Sequence, residues 1–226
     1  MFLFPTAFIL SSVMSESLFL FLSILCFYFA RKERWFLSGI SGFLLSLTRP
    51  TGILCLLPIA IFYLKSKKFK IDKDLLFLLL YPLGLFIFST YLYFLTGDFL
   101  AYFHSKTNSW GTTVVNPFSL LLNFLISSPE TAIISVFTMI EIVLSFYLLK
   151  KGYFEYAIYS FIMIVFTLIN GPETAIGIPR MSSAIFPFFF SMALITGKGT
   201  KVLIPIFLII LQALFMMLWS VGVFIL

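Results

Sequence analysis

The chain has 226 residues, 61% hydrophobic and only 11% charged, with a formal net charge of +6 and a mean hydropathy of +1.11. A soluble domain holds about 25% charged residues, so the composition excludes an ordinary water-soluble globule and points to a chain that spans a membrane many times. The positive charge does not indicate a nucleic-acid partner, because the basic residues form short clusters between apolar runs without an aromatic-basic groove.

In chain order, Met1 leads directly into FLFPTAFIL without the basic segment of a signal peptide. The chain therefore reads as starting partway through a transmembrane helix, as a truncated frame or a short member of a longer family. Lys and Arg mark cytoplasmic loops, and they gather in RKER (31–34), KSKKFKIDKD (65–74), KK (150–151) and KGTK (198–201). With these four inside, residues 13–30 run inward and 36–64 enter and return as a hairpin. Residues 75–95 then run outward, 132–149 inward, 153–169 outward, 182–196 inward and 202–224 outward. The expected fold is an all-α polytopic transmembrane bundle, a single domain over 1–226 with about eight membrane-embedded helices.

The hairpin carries one charge, Arg49, between Phe36 and Leu64. Its arms, 36–47 and 51–64, would be about 18 and 21 Å long as helices, short of a hydrocarbon core of about 30 Å. The apex TRPTG is therefore expected within the outer half of the membrane, lining a cavity. Pro50 bars helical geometry at Arg49, Gly52 permits the turn, and Ser38, Gly42 and Ser46 give the first arm a small-residue face.

Apart from the four clusters, the basic residues are Arg49, Lys106 and Arg180, all on the outer side in this ordering. Polar motifs collect there too: SSVMSES (11–17), TGDFLAYFHSKTNSWG (96–111), SSPE (127–130) and NGPETAIGIPR (170–180). Fixed guanidinium groups in an outward cavity suit an anionic ligand delivered from the membrane, such as a lipid phosphate. The competing reading of Arg49 is neutralisation of a buried acid, Glu16 or Glu141. Glu16 suits either a helix N-terminus or a sugar hydroxyl. Asp98 suits a turn or a ligand contact, and His104 an exposed loop or a general base. Lys106 is expected in solvent or among headgroups.

PETAI occurs at 129–133 and at 172–176, with Ser128 a cap for the first copy. Glu130 and Glu173 are caps or cavity residues. Glu141, in mid-span, is either a functional acid or a polar tie between helices. Cys26 and Cys55 lie in apolar runs, and His104 is the single histidine, so neither a disulfide framework nor a His or Cys metal centre is indicated.

Residues 4–58, from FPTAFILSSVMSESLF to LTRPTGILCLLP, resemble the PIG-V-like branch of the GT-C membrane glycosyltransferases. The resemblance lies in Pro5 to Phe8, Ser15 to Phe19, Arg34-Trp35 and Leu47 to Gly52, with FHSKTNSWG (103–111) and IPRMSSAIFPFFF (178–190) falling at family-like positions. Met14 stands where the family has Tyr. The resemblance implies an integral, multi-pass enzyme of the cell membrane or endoplasmic reticulum. It would transfer a hexose, typically mannose, from a polyprenyl or dolichyl phosphate to an acceptor glycan or glycolipid. The family's catalytic Asp belongs to a first extracytoplasmic loop, which would precede Met1 together with the family's N-terminal helix. Substrate contacts are expected from Arg49, Glu16, Ser15, Arg180, Trp110, Asp98 and His104, with Trp110 stacking on a sugar; no metal ligand is expected. The rival readings are a transporter or flippase of lipid-linked sugars and a non-catalytic membrane subunit with a partner.

Overall fold

A computed structural model describes residues 3–12, 14–195 and 202–220, without the side chains of Ser109, Trp110 and Leu218. The secondary structure among these residues is entirely helical. KGTK (198–201) and the expected helix end at 221–224 lie outside the described residues. The chain divides into two compact units, Ser17–Gly111 and Met1–Glu16 with Thr112–Leu226.

In the Ser17–Gly111 unit, α1 (Glu16–Arg31) and α2 (Trp35–Thr48) are joined by the basic RKER turn. The turn closes with Glu33 in left-handed geometry (φ 55°) and the Arg34 N–H donating to Phe29 O at 2.9 Å. α2 stops at Arg49, whose backbone is extended (φ −149°, ψ 135°) because Pro50 follows. A 3-10 segment, Pro50–Cys55, then leads into α3 (Leu56–Ser66). The arms do return to a common end: the rings of Trp35, opening α2, and Tyr63, late in α3, meet edge to face at 4.9 Å.

A second 3-10 segment, Lys73–Leu79, runs into α4 (Leu80–Thr96). The small-residue face of α2 packs on this stretch. A Cβ on Gly39 would strike the Phe77 carbonyl, and one on Gly42 the Tyr81 ring. Buried Ser38 donates to Cys26 O at 3.0 Å, with the Tyr81 hydroxyl 3.4 Å away. Between α3 and the second 3-10 segment, Lys67 holds Asp72 and Asp74, each at 2.8 Å, and Tyr63 donates to Asp72 at 2.6 Å. The Lys67 ammonium, then the Tyr63 hydroxyl, hold the Asp72 carboxyl down at about 2. This charged clip fixes the loop that the sequence presents simply as a basic cluster.

α4 ends at Gly97, whose φ of 75° lets its N–H reach Tyr93 O. The following stretch, expected as an outer loop, forms α5 (Ala101–Trp110).

The other unit opens with a 3-10 turn, Ala7–Ser11, and continues through α6 (Pro117–Ser127) and α7 (Pro129–Lys150). Ser128 caps α7, exchanging hydrogen bonds with Thr131 in a capping box. α8 (Phe154–Ile169) is followed by two short helices, α9 (Pro172–Ala175) and α10 (Ile178–Ser182), then α11 (Phe186–Ile195) and α12 (Leu203–Ser220). The second PETAI copy thus opens only one turn, preceded by Gly171 at φ 90°.

The core of this unit forms around α7. Ser135 on α7 donates to Leu121 O of α6 at 2.9 Å, and Phe146 meets Phe161 of α8 edge to face at 4.8 Å. Phe4, only 2% exposed, inserts its ring between Phe137 of α7 and Phe189 of α11.

Two helical stretches, Lys73–Thr96 and Pro129–Lys150, are long and apolar enough to cross a membrane. Shorter apolar helices lie at the two hairpin arms, Trp35–Thr48 and Pro50–Ser66, and at α8, α11 and α12. α6, absent from the expected spans, is a further short apolar helix.

Candidate functional site

Arg49 sits at the one extended residue between α2 and the 3-10 segment, where Pro50 prevents the helix from continuing. Its neighbourhood is built by α4, which packs on both the 3-10 segment Pro50–Cys55 and α5. Gly52 has a different purpose from the one its place in TRPTG suggests. A Cβ there would lie 2.5 Å from Leu45 O and 2.6 Å from Leu45 C, so the residue must be bare for the chain to fold back on α2. That close approach fixes the break carrying Arg49.

From α5, Tyr102 and Lys106 face the same way, one helical turn apart. The Lys106 Nζ lies 5.5 Å from the centre of the Tyr102 ring, and both residues are half-buried. Burial pushes the Tyr102 hydroxyl pKa up, while the Arg49 guanidinium opposes that rise. Burial, then Arg49, pull the Lys106 ammonium below its ordinary range. Sequence reasoning assigned Lys106 to solvent or headgroups and passed over Tyr102. Their i, i+4 spacing in YFHSK is the signal that α5, once formed, makes readable.

Asp98 and His104, separately named from the sequence, are a pair: Nδ1 of His104 lies 2.6 Å from Oδ2 of Asp98. The other carboxylate oxygen accepts from the Leu100 N–H at 2.9 Å, fixing Asp98 at the start of α5. The His104 contact, then that backbone bond, lower the Asp98 pKa. At about 100° per residue, His104 projects from the side of α5 opposite to Tyr102 and Lys106. The pair is accordingly a feature of the exposed face, its histidine side chain 59% exposed. The Trp110 side chain lies outside the described part of the chain.

In the other unit, Glu16 and Arg180 form an ion pair, Nε to Oε1 3.2 Å, with the carboxylate side chain 2% exposed. Arg180 is therefore one partner of Glu16. Neighbouring bonds fix the arginine's backbone: Ser183 donates to Arg180 O at 2.7 Å and Thr6 to Pro179 O at 2.5 Å. Ser15, half-buried, directly precedes Glu16. Glu141 is buried in α7 with its carboxylate oxygens lacking a hydrogen-bond partner among the described residues. The Ser182 hydroxyl of α10, already donating to Ile178 O, is its polar neighbour. An apolar cavity of about 200 Å³ lies between Phe8, Ile9 and Met14 and the α12 residues Met216 and Trp219, and no candidate residue lines it. No group of three or more metal-ligating side chains occurs among the described residues.

Comparison with protein-family models, curated proteins and solved structures finds no match.

Proposed function

We propose that the chain is a multi-pass membrane protein and a GT-C-type glycosyltransferase. It takes a hexose, typically mannose, from a polyprenyl or dolichyl phosphate and passes it to an acceptor glycan or glycolipid on the extracytoplasmic face. The observation carrying this reading is Arg49: a half-buried, permanently charged fork on a backbone break. A guanidinium matches two phosphate oxygens at once. In a water-poor site, fixed cations act most strongly on charge that grows as the leaving group departs. The apolar helices supply the lipid setting, and the motif resemblance around Arg49 supplies the reaction class.

The test is transfer of labelled mannose from a polyprenyl phosphate donor by the complete enzyme, expressed from the longest reading frame that contains this chain, in vesicles. Arg49→Ala is expected to lower transfer by about 100-fold or more and to leave membrane insertion intact. Normal turnover by that variant would remove Arg49 from the mechanism.

A further inference from the structure

We propose that residues 67–73 bind anionic phospholipids of the bilayer face on which they lie. Phe69 and Ile71 enter the headgroup layer, and Lys68, Lys70 and Lys73 hold the lipid phosphates. The inference rests on the membrane-spanning part of the reading above and is independent of its chemistry.

The loop stands where a bilayer surface is to be expected. It joins the apolar stretch Pro50–Ser66 to Lys73–Thr96, which is long and apolar enough to cross a membrane. In the orientation set by the basic clusters, this is the cytoplasmic face, whose lipids carry negative charge. Phe69 and Ile71 are each 75% exposed, and Lys68, Lys70 and Lys73 are exposed beside them in the chain. Apolar side chains set among cations match the headgroup boundary, where rings and alkyl groups reach the acyl region while ammonium groups stay with phosphate.

The charges within the loop are sorted in a way that favours an anionic partner. Residues 67–74 hold four lysines and two aspartates. Lys67 alone engages both carboxylates, each at 2.8 Å. Asp72 is tied further, through a 2.6 Å hydrogen bond, to Tyr63, which is fully buried. Both acids are thereby gathered on one lysine, and Lys68, Lys70 and Lys73 have no carboxylate partner among the described residues. A lysine close to an anionic leaflet strengthens binding about fivefold.

The backbone gives a separate reason to look for a partner. Lys68 and Phe69 both adopt left-handed geometry, φ 50° and 62°, which an aromatic residue rarely does. The Phe69 N–H donates to Leu64 O at 2.7 Å, closing the end of α3 in a turn that glycine suits best. An exposed phenylalanine at such a position gains nothing from the fold, so its ring serves a contact outside it.

The experiment uses the full chain in nanodiscs of phosphatidylcholine, alone or mixed with phosphatidylglycerol. Ile71→Cys carries an environment-sensitive fluorophore, and the buried Cys26 and Cys55 leave the background silent. With phosphatidylglycerol present, the emission is expected to shift to the blue and to be quenched by a shallow nitroxide-bearing lipid. In phosphatidylcholine alone it should instead be quenched by acrylamide from the water. About 1 M salt, which shortens the Debye length to about 3 Å, should reverse the shift. Lys70→Gln should raise the phosphatidylglycerol needed for half the response about fivefold, and the triple variant with Lys68→Gln and Lys73→Gln should abolish the response. Phe69→Gly should keep or raise the unfolding temperature yet reduce the lipid quenching, a pair of effects that a packing role does not produce. Equal signals in the two lipids, or a triple variant that still responds, overturn the lipid site and leave the membrane reading intact. A chain that does not enter nanodiscs at all overturns both.

Discussion

At Gly52 the nearest obstacles to a side chain are the Leu45 carbonyl oxygen and carbon, 2.5 and 2.6 Å from where a Cβ would sit. Both are backbone atoms, so no rotamer change relieves the overlap. Gly52→Ala is expected to lower stability by about 1–3 kcal/mol, measured by thermal unfolding in detergent. Because the same contact holds the break at Arg49, the variant should also weaken phosphate binding without altering any charge. Wild-type stability in Gly52→Ala would show that this close approach is not needed. Gly97 is the useful contrast: its surroundings are open, and its left-handed φ of 75° is what favours glycine. Such a difference was hidden in the sequence. TRPTG displays a proline and a glycine, and a turn glycine and a contact glycine are written with the same letter.

Glu16 and Arg180 lie at opposite ends of the chain within one compact unit, and their pairing shows what folding adds to chain order. Removing one partner of a buried ion pair leaves the other charge uncompensated, at about 3–5 kcal/mol. Glu16→Gln and Arg180→Met should each destabilise the protein strongly, and the double variant should recover much of the loss. The measurement is a double-mutant cycle by thermal unfolding. Neutral single variants would instead assign both groups to ligand contact. The sequence identified each charge as unusual but held nothing that joined positions so far apart. The apolar helices themselves were legible, because continuous runs such as 75–95 and 132–149 permit little else. α5 was not, since TGDFLAYFHSKTNSWG is polar enough to read as a loop and its helical face becomes visible only through Tyr102 and Lys106. α6 was missed for the opposite reason: PFSLLLNFLIS is apolar but too short to register as a span.

For the whole molecule, the proposed chemistry requires Arg49 to open on the side away from the cytoplasm. The physical basis is the distribution of Lys and Arg, which sets orientation through short loops rather than through net charge. Cys26 and Cys55 are fully buried, so cysteines placed on the surface can report sidedness against a silent background. Lys68, Asn108, Lys151 and Glu173 are exposed and sample the connecting regions. In intact cells or sealed vesicles of native orientation, a membrane-impermeant maleimide is expected to label Asn108→Cys and Glu173→Cys from the extracytoplasmic side. Lys68→Cys and Lys151→Cys should react only after the membrane is opened. The reversed pattern would turn α5, with Lys106, toward the cytoplasm. An extracytoplasmic sugar transfer would then be physically disallowed, whatever the affinity of Arg49 for phosphate, because acceptor and guanidinium would stand on opposite sides of an apolar barrier.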